Sequence, residues 1–520
     1  MIDLPVLTED VIVQSVQKLK SKMTSGPDRI PAFLVRDCCR VFAPALLKLF
    51  NLALTTSTFP AIWKRAKVCP VLKNGDPLLI GNYRPISVLC NFAKVFEISV
   101  YSYVFPLVRD LIAPEQHGFY ANRSVSTNLV CFTQYLSGVL DSRGQIDVVY
   151  TDFSKAFDKM DHEVLYMKLR SFNFCDALVS FFRSYLSSRT YYVAYNSYSS
   201  RTYVGTSGVP QGSNLGPLLF NLFINDLPEV LFCQKLLYAD DLKLFARIES
   251  IDDCIFLQYQ LLALQNWCVL NNLQLNVDKC KVLSFSKKKE LLAFPYSLGA
   301  STLERVPAFK DLGVMFDAEL SFSGHINSIV TSAYKMLGFV VRNTECFTKL
   351  SAIKAVYFAF VRSRLEYCSV VWSPFYAVYK HSIESIQRKF LKYLSFKVHG
   401  SYPSRGYSND LLLQEFQVLS MEQRRIVSAL RFIVNLINGR IDCPLLLEQI
   451  SFRERRPGGR YDVVFWCPQA RTNLMFRSPL YVMTNCFNKI CAEYNIFSGS
   501  TKELSTLVCK YFPADGSFGH

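Results

Sequence analysis

Two adjacent acids inside an otherwise apolar run restrict this chain more than any other feature: Leu236-Leu237-Tyr238-Ala239-Asp240-Asp241-Leu242-Lys243-Leu244. Apolar arms on both sides bury as strands while an acidic pair must stay accessible. The segment therefore reads as a tight hairpin, 235–239 and 242–246, with the carboxylates at its turn. Neighbouring carboxylates resist joint ionisation and raise one another's pKa. A divalent cation removes that cost, and Mg²⁺ favours one or two carboxylates together with substrate phosphates. Taken alone, the same segment reads equally well as a solvated turn.

A second acidic strand changes the balance. Val148-Val149-Tyr150-Thr151-Asp152 is a β-branched run that ends in an acid, 88 residues before Asp240, and Phe153-Ser154-Lys155-Ala156-Phe157-Asp158 comes directly after it. An acid at a strand end and a pair at a hairpin tip form the layout of a nucleotidyl transferase that uses two metal ions. Ions about 3.5–4 Å apart would activate a 3′-hydroxyl and stabilise the leaving pyrophosphate. Between the acids lies Ser207-Gly208-Val209-Pro210-Gln211-Gly212-Ser213. Its Gly and Pro let the backbone pass close to a ligand, and Gln211 can reach one without adding charge. The apolar run 218–224 reads as the buried start of a helix.

Composition narrows the partner. The 520 residues carry 58 Lys+Arg against 42 Asp+Glu, a net of +16, and half of them are hydrophobic. That excludes a disordered tail, and the length excludes a small stapled domain. A polyanion is implied, either nucleic acid or an anionic membrane surface. Residues 1–325 hold 33 basic and 29 acidic groups, whereas 326–520 hold 25 and 13, so the polyanion-binding charge is weighted to the last third. The 17 cysteines include no CxxC pair. Cys486, Cys491, Cys509 and His520 come nearest to a metal set, but their spacing suits reduced thiols acting as small hydrophobes. The 24 uncharged residues of 202–225 are broken by Pro and Gly and do not form a membrane span.

Along the chain, Thr8 suits the cap of an amphipathic helix that Gly26-Pro27 stops. A further helix is expected over 43–54, then an irregular basic stretch over 63–85. Strands are expected over 147–152, 282–285 and 312–316. After His325 the apolar period becomes helical through Ile326, Ile329, Ala333, Leu337 and Val340, and again from Ile353 to Leu365. Lys287-Lys288-Lys289 reads as a solvated loop.

A longer ordered set carries a resemblance. It comprises Gly26-Pro27-Asp28, Asn82-Tyr83-Arg84-Pro85-Ile86-Ser87, Gln116-His117-Gly118-Phe119 with Arg123-Ser124, and the run from Thr151 to Asp158. It continues through Gly208-Val209-Pro210-Gln211-Gly212-Ser213, Tyr238-Ala239-Asp240-Asp241, Asn276-x-x-Lys279, Leu312-Gly313, Ser363-Arg364-Leu365-Glu366-Tyr367 and Trp372-Ser373-Pro374. In this order and spacing the set resembles the reverse transcriptase of non-LTR (LINE-type) retrotransposons, close to the jockey-like insect elements. Coverage is dense from about residue 5 to 400 and thin beyond.

The resemblance implies an α+β fold shaped as a right hand. Its parts would be a helical N-terminal extension (1–60), fingers (61–145), palm with an interleaved fingers segment (146–322), helical thumb (323–420) and a basic C-terminal region (421–520) of unassigned role. It implies an RNA-directed DNA polymerase that extends a DNA primer on an RNA template from dNTPs, with two Mg²⁺ ions or Mn²⁺ in their place. Asp152, Asp240 and Asp241 would be the catalytic, metal-binding acids. Phe157 would exclude a ribose 2′-hydroxyl, and Gln211 would pack beside the incoming nucleotide. Arg84 and Lys73 would contact its triphosphate, and Lys279 would protonate pyrophosphate. Arg123, Arg362, Arg364, Arg388 and Lys389 are expected on the template–primer. No membrane role is expected, and the nucleus or a ribonucleoprotein particle is the expected location.

Several departures and alternatives accompany this reading. Asp-x5-Asp also resembles viral RNA-dependent RNA polymerases, although Phe157 and Tyr-Ala-Asp-Asp favour DNA synthesis. Asp158 is then a helix-start acid supporting the site, and His117 and His162 are structural. Arg29 stands where the family usually has Gly, and Tyr120 stands where many members have Arg, which shifts any phosphate contact to Arg123. No endonuclease, zinc knuckle or RNase H pattern is legible, so the chain is expected to be the polymerase portion alone. The competing expectation is a catalytically inactive RNA-binding remnant.

Overall fold

The computed structural model describes residues 1–73, 75–288, 290–453, 463–467, 469–500 and 502–513. Lys289 of the lysine run and His520 of the cysteine-rich set lie outside the described residues. Among those described, no helix is long and apolar enough to cross a membrane.

Ten strands build and border the site: β1 (Arg65–Leu72), β2 (Tyr83–Val88), β3 (Gln145–Thr151), β4 (Arg189–Tyr195), β5 (Gln234–Tyr238), β6 (Asp241–Ile248), β7 (Lys281–Ser286), β8 (Glu304–Arg305), β9 (Ala308–Asp311) and β10 (Val314–Asp317). The central sheet has the order β8-β7-β3-β6-β5, with β3 antiparallel to both β6 and β7. Register places Val148 opposite Phe245 and Leu283, and Val149 opposite Leu244 and Val282. Because side chains alternate along a strand, the two sets leave on opposite faces. The first set joins Ile146 and Tyr150 in one apolar core, and the second joins another core. Both faces are covered, so every residue of β3 is buried, the polar Gln145 and Asp147 included, and these two hydrogen-bond to each other.

The Val149 side is covered by the N-terminal helices, by Asn91–Val108, by Gly216–Ile224 and by Ile251–Leu270. The Val148 side is covered by helix Val125–Asp141 and by the helices after residue 323. Ser124 and Thr127 form a reciprocal cap at the start of Val125–Asp141, and twelve of its residues are buried. The C-terminal helices Met421–Ile437, Pro479–Ile490 and Glu503–Tyr511 pack into this same core. The last third is therefore part of the body of the fold as well as its most basic portion.

A second sheet is built on β1, which pairs antiparallel with β2 and parallel with β4. The expected irregular stretch over 63–85 is thus largely a strand pair. Proline inside each strand disguised it. Pro70 faces Pro85, and Pro70 lies beyond the Arg65–Val68 segment that pairs with β4. Other corrections are local. The first helix ends at Gln17, well before Gly26, and Thr8 stands at its N-cap position without a side-chain bond. The expected 312–316 strand begins at Val314, because Leu312 (φ 44°) and Gly313 (φ 91°) form the β9–β10 turn. The 353–365 helix is interrupted by a π-helical turn, Phe358–Arg362.

Candidate active site

The acidic pair does sit at a hairpin tip. Tyr238 pairs with Asp241 across a two-residue loop, and Ala239 takes φ 60° in it. That left-handed conformation is one an Ala rarely adopts, and hydrogen bonds from outside the hairpin hold it. Gln116 Oε1 accepts from the Ala239 amide at 2.8 Å, and Gln116 Nε2 donates to the Ala239 carbonyl. The His117 amide and Asn128 Nδ2 both donate to the Leu237 carbonyl. Gly118 is required at this approach: a Cβ there would lie 2.2 Å from the Ala239 nitrogen. The Gln116-His117-Gly118 motif therefore works as a clamp on the acidic turn. His117 itself is buried, and burial pushes its pKa down to about 3, so it is neutral and has a structural place.

Asp152 leaves the end of β3 beside this tip. Its carbonyl accepts from the Asn276 amide at 2.7 Å, and the Ser154 amide donates to Gln274. These bonds anchor the single turn Val277–Lys279, which delivers Lys279 Nζ to within 3.0 Å of Asp152 Oδ2. The three acids act on each other. Asp240 is raised above the usual carboxylate range by burial and then by Asp152, against the pull of Lys73 and Arg84. Asp241 is raised to about 6 by surrounding protein, then by Asp240, Asp311 and Asp152. Although its outer edge meets solvent, protein mass limits the water that can stabilise its charge. A cavity of about 600 Å³ opens here, lined in part by Lys73, Asp152, Asp241 and Lys279.

The loop 207–213 crosses between the two sheets. The Val209 amide donates to the Phe157 carbonyl, and the Ser87 amide of β2 donates to Gln211. Gly208 (φ 73°) passes so close that a Cβ would lie 2.4 Å from the Phe157 oxygen. Gln211 Nε2 donates to Asp158 Oδ1 at 2.8 Å. Asp158 lies in the first turn of Ala156–Lys159, and its partner there is Gln211. Phe157 stacks on Phe220 with ring centroids 4.1 Å apart and meets Phe119 edge-on. His162 bonds to the Gly208 carbonyl, a structural placement.

The expected basic contacts divide into two groups. Lys73 and Arg84 are exposed near the paired ends of β1 and β2 and act on Asp240, and Lys279 is at Asp152. Arg364 and Lys389 are also exposed, on helical segments. Arg123 is different, and its expected phosphate role is corrected. Its side chain is 4% exposed, stacks on Tyr120, pairs with Asp442 and donates to the carbonyls of Ala113, Pro114, Gln116 and Asp442. Its donors are spent tying the Gln116 loop to Asp442. Arg362 lies over Phe358 and beside Glu366, and Arg388 donates to the Tyr407 carbonyl with its Nε buried, so both are largely committed inside the fold. Arg29 takes φ 59°, the conformation for which the family's usual Gly is suited.

Sequence reasoning missed Lys243 and Asp311, a buried ion pair in the floor of the cavity. Asp311 is one of the charges that raise Asp241. The alternation of β6 contained the signal, since Lys243 falls on an inward position of a covered strand.

Acids converging from a strand end and a clamped hairpin tip, on a sheet buried on both faces, define a polymerase-type centre. The chain belongs to the reverse transcriptase (RNA-dependent DNA polymerase) family, which it matches over residues 71–341. Its α+β architecture is accordingly that of a right-hand polymerase, and the family uses divalent metal ions. The chain is similar to the RNA-directed DNA polymerase from mobile element jockey of Drosophila melanogaster, 28% identical over 63% of this chain and 37% of that protein. It is also similar to the probable RNA-directed DNA polymerase from transposon BS of the same species, 27% identical over 71% of this chain and 42% of that one. The chain thus spans about two fifths of the length of these curated relatives. Among solved structures it shares 13% identity and a TM-score of 0.35 with telomerase from Candida albicans, over 76% of this chain and 66% of that one, a likeness that carries no weight here.

Proposed function

We propose that this chain is the RNA-directed DNA polymerase of a jockey-like non-LTR retrotransposon, extending a DNA 3′-hydroxyl on an RNA template. The observation that carries the reading is the convergence of Asp152, Asp241, Lys73 and Lys279 around one cavity, with Asp240 beside them under the charges of Asp152, Lys73 and Arg84. The donor set suits divalent cations: hard carboxylate oxygens, two of them held above their ordinary pKa by burial and mutual repulsion. Asp152, Asp240 and Asp241 would hold two Mg²⁺, or Mn²⁺, which would lower the pKa of the primer hydroxyl and offset charge on the departing pyrophosphate.

The chain's own residues do the rest. Lys73 and Arg84 bind the triphosphate and bring its charge against the acids. Gln211, oriented by Asp158, fixes the base and sugar of the incoming nucleotide, and Phe157 blocks a 2′-hydroxyl. The primer 3′-hydroxyl gives up its proton to solvent, and its oxygen bonds to the α-phosphorus as the bond to the β-phosphate oxygen breaks. Lys279 Nζ supplies the proton taken by pyrophosphate. Residues 61–145 with the interleaved β4 segment serve as fingers, 146–322 as palm and 323–420 as thumb. Helices Met421–Ile437, Pro479–Ile490 and Glu503–Tyr511 buttress the thumb and helix Val125–Asp141, with 1–60 packed behind the fingers. Arg364 and Lys389 contact template–primer phosphates, and the work is done in the nucleus or in a ribonucleoprotein particle.

Primer extension on poly(rA)·oligo(dT) with Mg²⁺ tests the proposal. Incorporation of dTTP that is abolished by Asp240→Ala supports it. A folded chain that binds RNA yet incorporates nothing would make it an inactive RNA-binding remnant.

A further inference from the structure

Away from the catalytic cavity, three residues distant in sequence meet on the Val148 side of the central sheet. His117 comes from the loop that clamps the acidic turn, Cys131 from helix Val125–Asp141, and Cys443 from the C-terminal third, just ahead of Pro444–Leu447. All three are buried, and a ring nitrogen of His117 and both sulfurs lie within 4.8 Å of one another. The sulfurs are 3.5 Å apart, close to the separation of about 3.8 Å expected for two thiolates on one tetrahedral ion with bonds of about 2.3 Å.

The histidine adds an independent observation. Its Nδ1 lies 2.8 Å from Thr127 Oγ1, whose own proton goes to the Ser124 carbonyl at 2.7 Å. Thr127 therefore accepts, and Nδ1 carries the imidazole proton, an assignment made from the bonding network. Nε2 is left with a bare lone pair, buried and without any hydrogen-bond partner. A cysteine pair that served only as apolar filler would not account for a buried acceptor left unmatched beside it. A hydrogen bond from one ring nitrogen to an oxygen also orients the other in metal-ligating histidines generally.

We propose that His117, Cys131 and Cys443 bind one thiophilic d10 cation, Zn²⁺ or Cu⁺, which staples the C-terminal third to the loop that clamps the acidic turn. Two thiolates and an imidazole are soft-to-borderline ligands, unlike the all-oxygen donors of the catalytic acids, so the two sites would select different ions. The site is independent of the polymerase reading and would persist in an inactive chain.

The test uses the full-length chain. Elemental analysis of the purified protein is expected to find about one equivalent of zinc or copper per chain, and the element found distinguishes the two. X-ray absorption at that element's edge should show two sulfur scatterers. After chelation, Co²⁺ should produce a thiolate charge-transfer band that Cys443→Ser and His117→Gln weaken or abolish, while Cys254→Ser, in the other core, leaves it intact. A wild-type chain without stoichiometric metal, an absorption edge without sulfur neighbours, or a Cys131–Cys443 disulfide would each overturn the proposal. So would a cobalt band unchanged in Cys443→Ser. The absorption spectrum of the wild type decides the matter even if the variants fold poorly.

Discussion

Gln211 Nε2 donates to Asp158 Oδ1 at 2.8 Å, so the residue that resembles the second acid of viral RNA polymerases is turned toward the side-chain amide of the 207–213 loop. Burial raises the Asp158 pKa, and this bond to Gln211 opposes the rise. Asp158→Ala is expected to release Gln211 and lower kcat/KM for dNTP by roughly tenfold, the worth of one hydrogen bond to a charged acceptor. Asp158→Asn keeps an acceptor oxygen and should retain most activity. Steady-state kinetics with dTTP check both, and equal losses in the two variants would show that the carboxylate charge itself is needed.

Asp241 gives a pH signature. Its pKa of about 6 in the folded chain exceeds the unfolded value of about 3.9. The folded state therefore holds the proton more tightly, and this contribution to stability is complete below about pH 3.9 and lost as pH rises through about 6. Without divalent cations, Asp241→Asn should raise Tm at neutral pH relative to the wild type and narrow the difference under acid conditions. Added Mg²⁺ should raise the wild-type Tm at neutral pH and have less effect on the variant. Thermal melts across that range measure this, and parallel curves for the two proteins would contradict it.

Phe157 is held by its stack on Phe220, with centroids 4.1 Å apart. Phe157→Val shortens the side chain that would meet a 2′-hydroxyl, at a stability cost of about 1–3 kcal/mol for the lost packing. Discrimination between dTTP and UTP, compared as kcat/KM, should fall by roughly tenfold or more. An unchanged ratio would place the sugar gate elsewhere.

Arg123 and the exposed pair Arg364 and Lys389 should behave in opposite ways. Arg123→Ala removes a guanidinium bonded to four carbonyls and paired with Asp442, and is expected to destabilise the chain by about 3 kcal/mol. Arg364→Ala and Lys389→Ala should leave Tm nearly unchanged. Each should weaken template–primer binding and reduce its salt dependence by about one phosphate contact. Denaturation and salt-titrated binding separate the cases.

The acidic turn was legible because its pattern is local: apolar arms force a hairpin, and alternation decides which side chains enter the core. The same holds for β3, where the run Val148-Val149-Tyr150 calls for cover on both faces, with Asp152 just past the strand's end. The β1–β2 pair was hidden because proline ordinarily marks a strand's absence, and only the facing of Pro70 and Pro85 makes both tolerable.

Other features depended on contacts between distant segments. The charge of Arg123 in sequence suggested a phosphate ligand, yet four carbonyls and Asp442 enclose it. Gln116 meets Ala239 across 123 residues, and Cys131 meets Cys443 across 312. The sequence by itself determined the strand alternation, the acids at the strand end and turn, and the family they identify. Tertiary structure alone decided which polar groups were left for a ligand. A side chain's availability depends on partners that folding brings from elsewhere in the chain, and no local spacing encodes them.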